Sequence, residues 1–594
     1  MKQLKSRKGL MLLQLVAVMF WLTNLSKTDS YFSIYALTAA ASLFCLSENG
    51  ETPFPGSKKA LAGGFLFVFF LSLAPVLGNL PLFEMARDIT DLSDHKNHLL
   101  GILEGCLTVL AGIPIFYQIL KDFALRCCRP AITPSYKGDH PGRVFLLTFG
   151  LILLIDLTYL FVIAYPGNLS HDTMGQLGQI QSGVYNNFAP FWHTQLIRLF
   201  MGLGYSLFGS ANAAAATFCV VQIFLMAATF GYAMMTLYES RVPKFWLAVS
   251  FFLYVLMPYN IVFSASIWKD VPYGASLLLV TASMYRLLRN VGKRRKTDLV
   301  VLTLGGILSC MARTNGAYVM GAAFLILLLV MRKRIRTVLI PWIIIAVLGG
   351  IMNGPVLTAL HIQHIRPTEV LALPLQQVAR VIWEDGEISA EDMEKIRKVA
   401  DVEKIQEVFW NITVDPVKGV VRETDPQYLL DHKQEYIALW LRLGLQNPEI
   451  YLKAWADLTK GYWNGGYDYY FFAEYIADNP FGLERDISGG PVWALSRIYF
   501  ALTRETVLFE PLLSIGLMVW LTFLGFYLCI LRKRKEGILY VPLLIITVCL
   551  WIGAPVYSEF RYVYPLFTCF PLLFPVTLHC PEIVRSAEKI KHSV

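Results

Sequence analysis

The chain has 594 residues, of which 55% are hydrophobic and only 16% are charged. A soluble protein would carry about a quarter charged residues, and the mean hydropathy here is +0.50. The formal net charge of +9 does not indicate nucleic-acid binding, because the Lys and Arg residues stand in short clusters between apolar runs. Clusters placed in this way set membrane orientation. Composition therefore predicts a polytopic protein whose partner is the lipid bilayer.

About fourteen apolar runs follow one another along the chain, most of them near the roughly 20 residues that cross a bilayer. They lie near 9–25, 31–46, 60–79, 99–120, 144–165, 211–238, 245–263, 272–289, 298–312, 315–331, 336–353, 509–531, 537–554 and 561–579. The first run follows a basic N-terminus without a small-residue cleavage site and is interpreted as a retained anchor. The sequence thus predicts an all-α membrane protein with about fourteen transmembrane helices.

Basic loops set the predicted orientation of these helices. With the N-terminus inside, alternation places the strong basic clusters on the inner side, namely 121–143, 239–244, 289–298, 332–336 and 532–537. The unusual polar stretches then converge on the outer side, namely 166–210, 266–272, 312–316, 354–508 and 558–564. We therefore expect a multi-pass plasma-membrane protein with both termini in the cytoplasm.

Four regions are predicted from this organisation. Residues 1–143 are accessory membrane helices, 144–353 form a membrane module with the outer loop 166–210, and 509–594 are the C-terminal membrane helices and cytoplasmic tail. Between them, 354–508 is long enough to bury its own core. This segment reads as a mostly helical extracytoplasmic domain, with helices predicted at 389–410, 425–448 and 449–463.

Asp172 lies just outside an apolar run, in "YPGNLSHDTMGQLGQ". Two interpretations remain open for it. Either Ser170 or Asp172 caps a short helix, or Asp172 is a general base that takes a proton from an attacking hydroxyl. The stretch after it, "NNFAPFWHTQLIRLF", is amphipathic and suits a helix in the membrane interface.

Three cations on the predicted outer side stand near membrane runs. Lys269 precedes Asp270 in "SIWKDVPYG", Arg313 lies in "RTNG", and Arg561 follows Glu559 in "EFRYVYPL". Each of them has a simpler interpretation, as a self-neutralising loop pair or as a helix-end anchor. Positive charges opposite the favoured side are costly without a partner, so we favour a site that binds a lipid phosphate, with Asp270 and Glu559 in supporting roles.

Two histidines and an aromatic patch are further candidates. His171 and His193 flank the Asp172 segment, but without a third His at ligand spacing the pattern does not indicate a metal site. We expect both histidines to support the site. The aromatic residues offer either sugar-stacking faces or core packing, Trp463 and Tyr467 being the first candidates for stacking; they are Tyr462, Trp463, Tyr467, Tyr469 and Tyr470.

These motifs together resemble the GT-C superfamily of polytopic glycosyltransferases, which use polyprenyl-phosphate-linked sugars. Within it, the chain resembles bacterial proteins related to the protein mannosyltransferase and aminoarabinose transferase group, over about 144–353 and 509–579. Asp172 matches the catalytic base in that group's first outer loop. The next helix departs from the usual His-Pro-Pro pattern and reads Ala189-Pro190-Phe191-Trp192-His193.

The resemblance implies an inverting transfer of a sugar from a polyprenyl phosphate to a hydroxyl of a glycan, lipid or protein, in bacterial envelope modification. Asp172 would be the catalytic base and Lys269, Arg313 and Arg561 would bind the phosphate, with no cofactor and no metal required. The alternatives are a transporter or flippase of lipid-linked saccharides, a polysaccharide polymerase or ligase that uses a pyrophosphate-linked donor, and a non-catalytic envelope scaffold.

Overall fold

A computed structural model describes residues 2–26, 32–49, 52–79, 93–128, 136, 139–292, 295–330, 338–362, 367–466, 474–485, 489–506 and 509–579. Within these ranges the chain is helical and forms no strand, and its β-pairings are three isolated bridges. The predicted all-α class is therefore confirmed.

The membrane part of the chain is built from helices on both sides of the 354–508 segment. Before it come α1 (Lys2–Leu25), α2 (Phe32–Asn49), α3 (Lys58–Leu77), α4 (Ser93–Cys128), α5 (Pro141–Thr158), α6 (His171–Ser182), α7 (Phe191–Phe208), α8 (Ala211–Glu239), α9 (Lys244–Val255), α10 (Pro258–Ser264), α11 (Asp270–Arg289), α12 (Arg295–Ala312), α13 (Gly316–Val330) and α14 (Leu339–Asn353). A π-helical turn, Tyr159–Ile163, extends α5.

The remaining helices begin directly after α14. They are α15 (Pro355–Ala359), α16 (Pro367–Val370), α17 (Ala372–Trp383), α18 (Ala390–Val399), α19 (Val402–Val408), α20 (Asp415–Glu423), α21 (Pro426–Asp431), α22 (Lys433–Gln446), α23 (Pro448–Thr459), α24 (Pro491–Glu505), α25 (Ile515–Leu531), α26 (Val541–Gly553) and α27 (Phe560–His579). Short 3₁₀ turns cover Lys460–Tyr462, Glu510–Leu512 and Lys535–Tyr540.

Each of the fourteen predicted apolar runs is mostly helical in its described part. Among the described residues, eight helices are long and apolar enough to cross a membrane, and a ninth is added if α9 and α10, bent by 41°, form one span. The chain is thus a helical, multi-pass membrane protein. The number fourteen is not confirmed, since apolar segments such as Gly316–Leu329 and Ile515–Leu531 are shorter than a full span.

Helix α11 lies at the centre of the membrane part. It is buried over most of its length and packs against α8, α12 and α27. Its 20 residues extend over about 30 Å. Lys269 and Asp270 lie at its N-terminal end, and Arg286 and Arg289 lie at its C-terminal end.

Predicted inner loops meet at the C-terminal end of α11. The fully buried Arg286 pairs with Glu239 at 2.5 Å and with Asp298 at 2.8 Å, and Arg289 pairs with Glu536. The residues predicted to lie outside therefore stand at one end of α11, and those predicted to lie inside stand at the other.

The 354–508 segment contains a hydrophobic core of its own between Ala372 and Tyr451. Its predicted helix 389–410 begins as expected, with the Ser389 hydroxyl accepting from the Asp392 N–H at 3.1 Å. The expected single helix is wrong, because the chain breaks after α18 and Asp401 caps α19 by accepting from Lys404 N–H. The predicted helix 425–448 is likewise divided, into α21 and α22, at His432.

We predict that Arg286→Leu lowers the free energy of unfolding by about 3–5 kcal/mol, because it leaves two acidic side chains buried without their cation. Denaturation in mixed micelles with increasing dodecyl sulfate measures this loss. Arg295→Gln, a change at an exposed position beside the same loops, serves as the control and should shift the transition by less than about 0.5 kcal/mol. Equal shifts for the two variants would contradict a structural role for the buried pair.

Candidate functional site

Two loops pair side by side beneath the predicted outer face. The N–H of Asn168 donates to the carbonyl of Ala265 at 2.8 Å, and the N–H of Ile267 donates to the carbonyl of Asn168 at 2.9 Å. The Asn168 amide also donates to the Ser266 hydroxyl at 3.1 Å. Because backbone groups buried away from water must be paired, these bonds hold the start of α6 beside the start of α11.

A third chain segment joins this pair of loops on its other edge. Leu169 accepts from the N–H of Ala477 at 2.8 Å and donates to the carbonyl of Tyr475 at 3.0 Å. Arg485 donates to the carbonyl of Gly167 at 3.1 Å and to the Asn168 side chain at 2.6 Å. The last part of the long polar segment is therefore built into the scaffold of the site.

Gln222 on α8 also forms hydrogen bonds to this loop scaffold. Its side-chain amide lies within hydrogen-bond distance of the carbonyls of Phe263, Ser264 and Ser266, at 3.2, 2.9 and 2.8 Å. The last carbonyls of a helix have no partner within the helix, so Gln222 satisfies the end of α10. The chain can then turn and present Lys269 at the head of α11.

Helix α6 begins at His171, with Ser170 as its N-cap residue but without a side-chain capping bond. The Ser170 hydroxyl instead accepts from the Trp268 indole at 2.7 Å, and the Thr173 hydroxyl donates to the Ile267 carbonyl at 2.8 Å. The capping interpretation of Asp172 is therefore wrong, because Asp172 lies inside the first turn and its carboxylate bonds to other elements.

The Asp172 carboxylate lies between two cations from distant parts of the chain. Its Oδ2 atom is 2.6 Å from Arg561 Nη1 and 3.4 Å from Lys269 Nζ, and its side chain is 32% exposed. Burial by itself would raise the pKa of Asp172, but the charges of Lys269 and Arg561 outweigh this effect and hold that pKa well below its usual range. Asp172 is therefore ionised at neutral pH.

The other charged residues predicted for the site join this cluster. Arg313 pairs with Asp270, and Nε of Arg561 lies 3.2 Å from a carboxylate oxygen of Glu559. Burial raises the pKa of Glu559 and outweighs the opposing charge of Arg561; the charges of Asp270 and Asp172 add to the rise. Three cations thus face three acidic side chains.

Tyr562 connects the two guanidinium groups. Its ring centre lies 5.0 Å from Cζ of Arg313 and 5.4 Å from Cζ of Arg561, distances at which a cation is attracted to the ring face. Trp268 covers another side of Arg561, at 5.5 Å. The rings of Tyr562 and Trp268 therefore restrict the orientation of the guanidinium groups more than the carboxylate contacts do by themselves.

A cavity of about 320 Å³ opens beside the charged cluster. Lys269 and Arg313 line this cavity. Arg561 contacts Asp172 next to the cavity. The rest of the lining comprises Phe188, Pro190, Tyr273, Thr314, Asn315, Tyr318, Glu369, Val370, Ile546, Cys549, Leu550, Gly553, Pro555 and Tyr562. The volume suits a small head group, and two of the three predicted phosphate-binding cations face it.

The two predicted supporting histidines have different surroundings. His171 is exposed, with its ring 6.2 Å from that of Tyr475. His193 is buried on α7 and its Nδ1 lies 3.0 Å from the Gln176 amide. Burial and the charge of Lys269 lower the pKa of His193 to about 3, so this ring is neutral and ties α7 to α6. The described residues contain no group of three or more potential metal-ligating side chains.

The aromatic patch divides into two roles. Trp463 is buried in a core cluster and stacks on Trp455 at 5.5 Å, so its ring faces are covered by protein and the sugar-stacking hypothesis does not fit it. The Tyr462 hydroxyl donates to the Val556 carbonyl at 2.8 Å and accepts from Glu559 N–H at 3.0 Å, which supports the approach to Arg561. Tyr467, Tyr469 and Tyr470 lie outside the described residues.

The fold and the charged cluster define a helical, multi-pass membrane protein with a polar site at one end of its helices. Residues 181–591 match the family described as "Family of unknown function (DUF6020)". This match covers more than half of the chain, so the chain belongs to that family. It includes Lys269, Arg313 and Arg561 and begins nine positions after Asp172. No curated protein and no solved structure matches the chain.

We predict that Gly167→Ala destabilises the loop scaffold by about 2–4 kcal/mol, through backbone strain and overlap. Gly167 has φ +127°, and a Cβ there would stand 2.5 Å from Cys219 Sγ. Micelle denaturation again measures the change. Gly178→Ala on α6 is the matched control, since nothing lies within 4 Å of its Cβ, and it should be neutral or gain up to about 1 kcal/mol. A stable Gly167→Ala variant would contradict the tight loop pairing.

The exposed Cys549 in the cavity tests which side of the membrane the site faces. Starting from a cysteine-free variant, Cys549 alone should react with a membrane-impermeant maleimide added to intact cells. Cys128, also exposed but in a predicted inner loop, should react only after the cells are permeabilised. Labelling of Cys128 without labelling of Cys549 would reverse the predicted orientation.

Proposed function

We propose that this protein is a membrane glycosyltransferase that moves a sugar from a polyprenyl-phosphate donor to a hydroxyl acceptor on the extracytoplasmic face, with inversion, in modification of the bacterial cell envelope. The observation that carries the proposal is the position of the Asp172 carboxylate, 3.4 Å from Lys269, beside a cavity into which Lys269 and Arg313 project. A base and a phosphate-binding pair side by side are what transfer from a sugar phosphate requires.

Lys269 and Arg313 are assigned to the donor phosphate in this proposal. Both line the cavity, and positioned cations stabilise negative charge that develops on a leaving group. Arg561 is assigned a positioning role, because its guanidinium group is held by Asp172 and Glu559. This assignment refines the expectation from the sequence, in which all three cations bind phosphate.

The resting carboxylate of Asp172 is a weak base, since its pKa is held below the usual range by two cations. Binding of a donor phosphate to Lys269 would share that cation's charge and so raise the basicity of Asp172. The donor would thereby activate the base at the moment when it is needed. The contact between Lys269 and Asp172 is the longer of the two and so the easier one to exchange.

In the proposed step, the acceptor oxygen attacks the anomeric carbon and its proton passes to Asp172. The bond between the anomeric carbon and the phosphate oxygen breaks, and its electron pair leaves with the polyprenyl phosphate. The transition state has oxocarbenium character, and the charge that grows on the phosphate is met by Lys269 and Arg313. Asp172 then returns the proton to water.

We predict that Asp172→Asn lowers kcat by about 10²–10⁴-fold, the usual contribution of a general base. Arg313→Gln should raise KM for the donor by about 10–100-fold, the value of a hydrogen bond to a charged group. The assay measures polyprenyl phosphate released from a panel of prenyl-phosphate sugars by the protein in proteoliposomes, with water in place of the acceptor hydroxyl, so that no known acceptor is required.

Asp139→Asn, at an exposed position outside the site, is the control and should leave release unchanged. Prenyl-phosphate saccharide that crosses the vesicle membrane without cleavage, at equal rates in the wild type and in Asp172→Asn, would contradict glycosyl transfer and indicate a flippase. Release from pyrophosphate-linked donors only would indicate a polymerase or ligase instead.

A further inference from the structure

A second cavity lies inside the 354–508 segment, among helices α16 to α22. Its volume is about 390 Å³ and its lining is almost entirely apolar. Among the lining residues, Lys433 is the charged one, and its side chain is exposed. An apolar lining of this kind favours apolar ligands, so its chemistry selects hydrocarbon.

The polar atoms of the aromatic lining residues are engaged outside the cavity. The Tyr436 hydroxyl donates to the Lys395 carbonyl at 2.9 Å, and the Trp440 indole donates to the Gln377 side chain at 2.9 Å. These bonds hold the apolar parts of both rings toward the cavity. The interior therefore presents no polar group to a sugar or to a free phosphate.

The openings of this cavity show where a ligand would enter. Val370 is 77% exposed and lines both this cavity and the cationic one that contains Lys269 and Arg313. On α22, Ile437 lines the cavity and begins an exposed apolar row that continues through Leu441 and Leu445. Residues spaced by four lie on one face of a helix, so this row leads along the surface to the cavity.

We propose that the apolar cavity binds one hydrocarbon chain of an anionic amphiphile whose phosphate lies in the neighbouring cationic cavity. Three observations support this occupant: the apolar lining, the shared wall at Val370, and the two cations beyond it. Binding needs no catalysis and does not depend on glycosyl transfer. The ligand class is an alkyl or prenyl phosphate, whether it comes from a donor or from a lipid acceptor.

The test uses the full-length protein in vesicles of zwitterionic lipid with a diazirine-bearing alkyl phosphate, and mass spectrometry to map the crosslinks. We expect crosslinks at cavity residues such as Val378, reduced at least fivefold in Val378→Trp, which fills the space. Val492→Trp makes the same change at an exposed position on α24, outside both cavities, and should label like the wild type. Should Val378→Trp fail to fold, Ile437→Glu at the exposed mouth should reduce labelling at least threefold.

The head group is tested with the same probe and its uncharged alcohol. Arg313→Gln should reduce labelling by the phosphate probe at least threefold and leave labelling by the alcohol unchanged. Competition by a prenyl phosphate or by an anionic diacyl lipid identifies the source of the chain. Crosslinks outside the cavity, equal labelling of Val378→Trp and wild type, or equal effects of Arg313→Gln on both probes would overturn the proposal. Crosslinking of the wild-type protein as expected, together with no release of polyprenyl phosphate from any prenyl-phosphate sugar, would count against the proposed function alone.

Discussion

The arrangement of the site depends on one carboxylate shared by two cations. Asp172 stands 2.6 Å from Arg561 and 3.4 Å from Lys269, although these residues are far apart in sequence. Without that carboxylate, two positive charges would face each other at the edge of a membrane, where unpaired charge is costly. With it, α6, α11 and α27 are joined at a single point. In the proposed function, the same carboxylate is the base.

The backbone around this ion pair explains why it can form. Asn168 pairs with residues 265–267, Leu169 pairs with residues 475–477, and Gln222 satisfies the end of α10. These hydrogen bonds between buried groups tie the loops together and make the scaffold rigid. Arg561 is held between rings and acids on that scaffold, whereas Lys269 extends on a flexible stem. A ligand phosphate would therefore displace Lys269 more easily than Arg561.

The sequence predicted the helical class well, because long apolar runs leave a membrane protein few alternatives to helix. It also brought together the charged residues that meet in space, because alternation of the spans places Asp172, Lys269, Arg313 and Arg561 on one side. The span count was less certain, since apolar composition does not separate a full crossing from a shorter buried helix. The sequence left the capping interpretation of Asp172 open, because its partners are distant in sequence, and it missed the cap at Asp401 that divides the predicted helix 389–410.

Other parts of the site carry no local signal. Asn168 and Gln222 form isolated pairings without strand alternation, so only the folded chain reveals them. Tyr562 stands within a motif that the sequence does single out, but its place between two guanidinium groups depends on how α27 packs. For Trp463 the sequence left sugar stacking and core packing open, and its buried position against Trp455 favours core packing. Spacing identifies candidate residues, and packing assigns their roles.

The most direct test of this account is a double-mutant cycle on Asp172 and Arg561, with Asp172→Asn, Arg561→Gln and the double variant compared by denaturation in mixed micelles. Direct contact predicts that the two effects are not additive, with a coupling free energy of about 1–3 kcal/mol. Additivity within about 0.5 kcal/mol would mean that the two side chains do not meet, and the proposed site would lose its base.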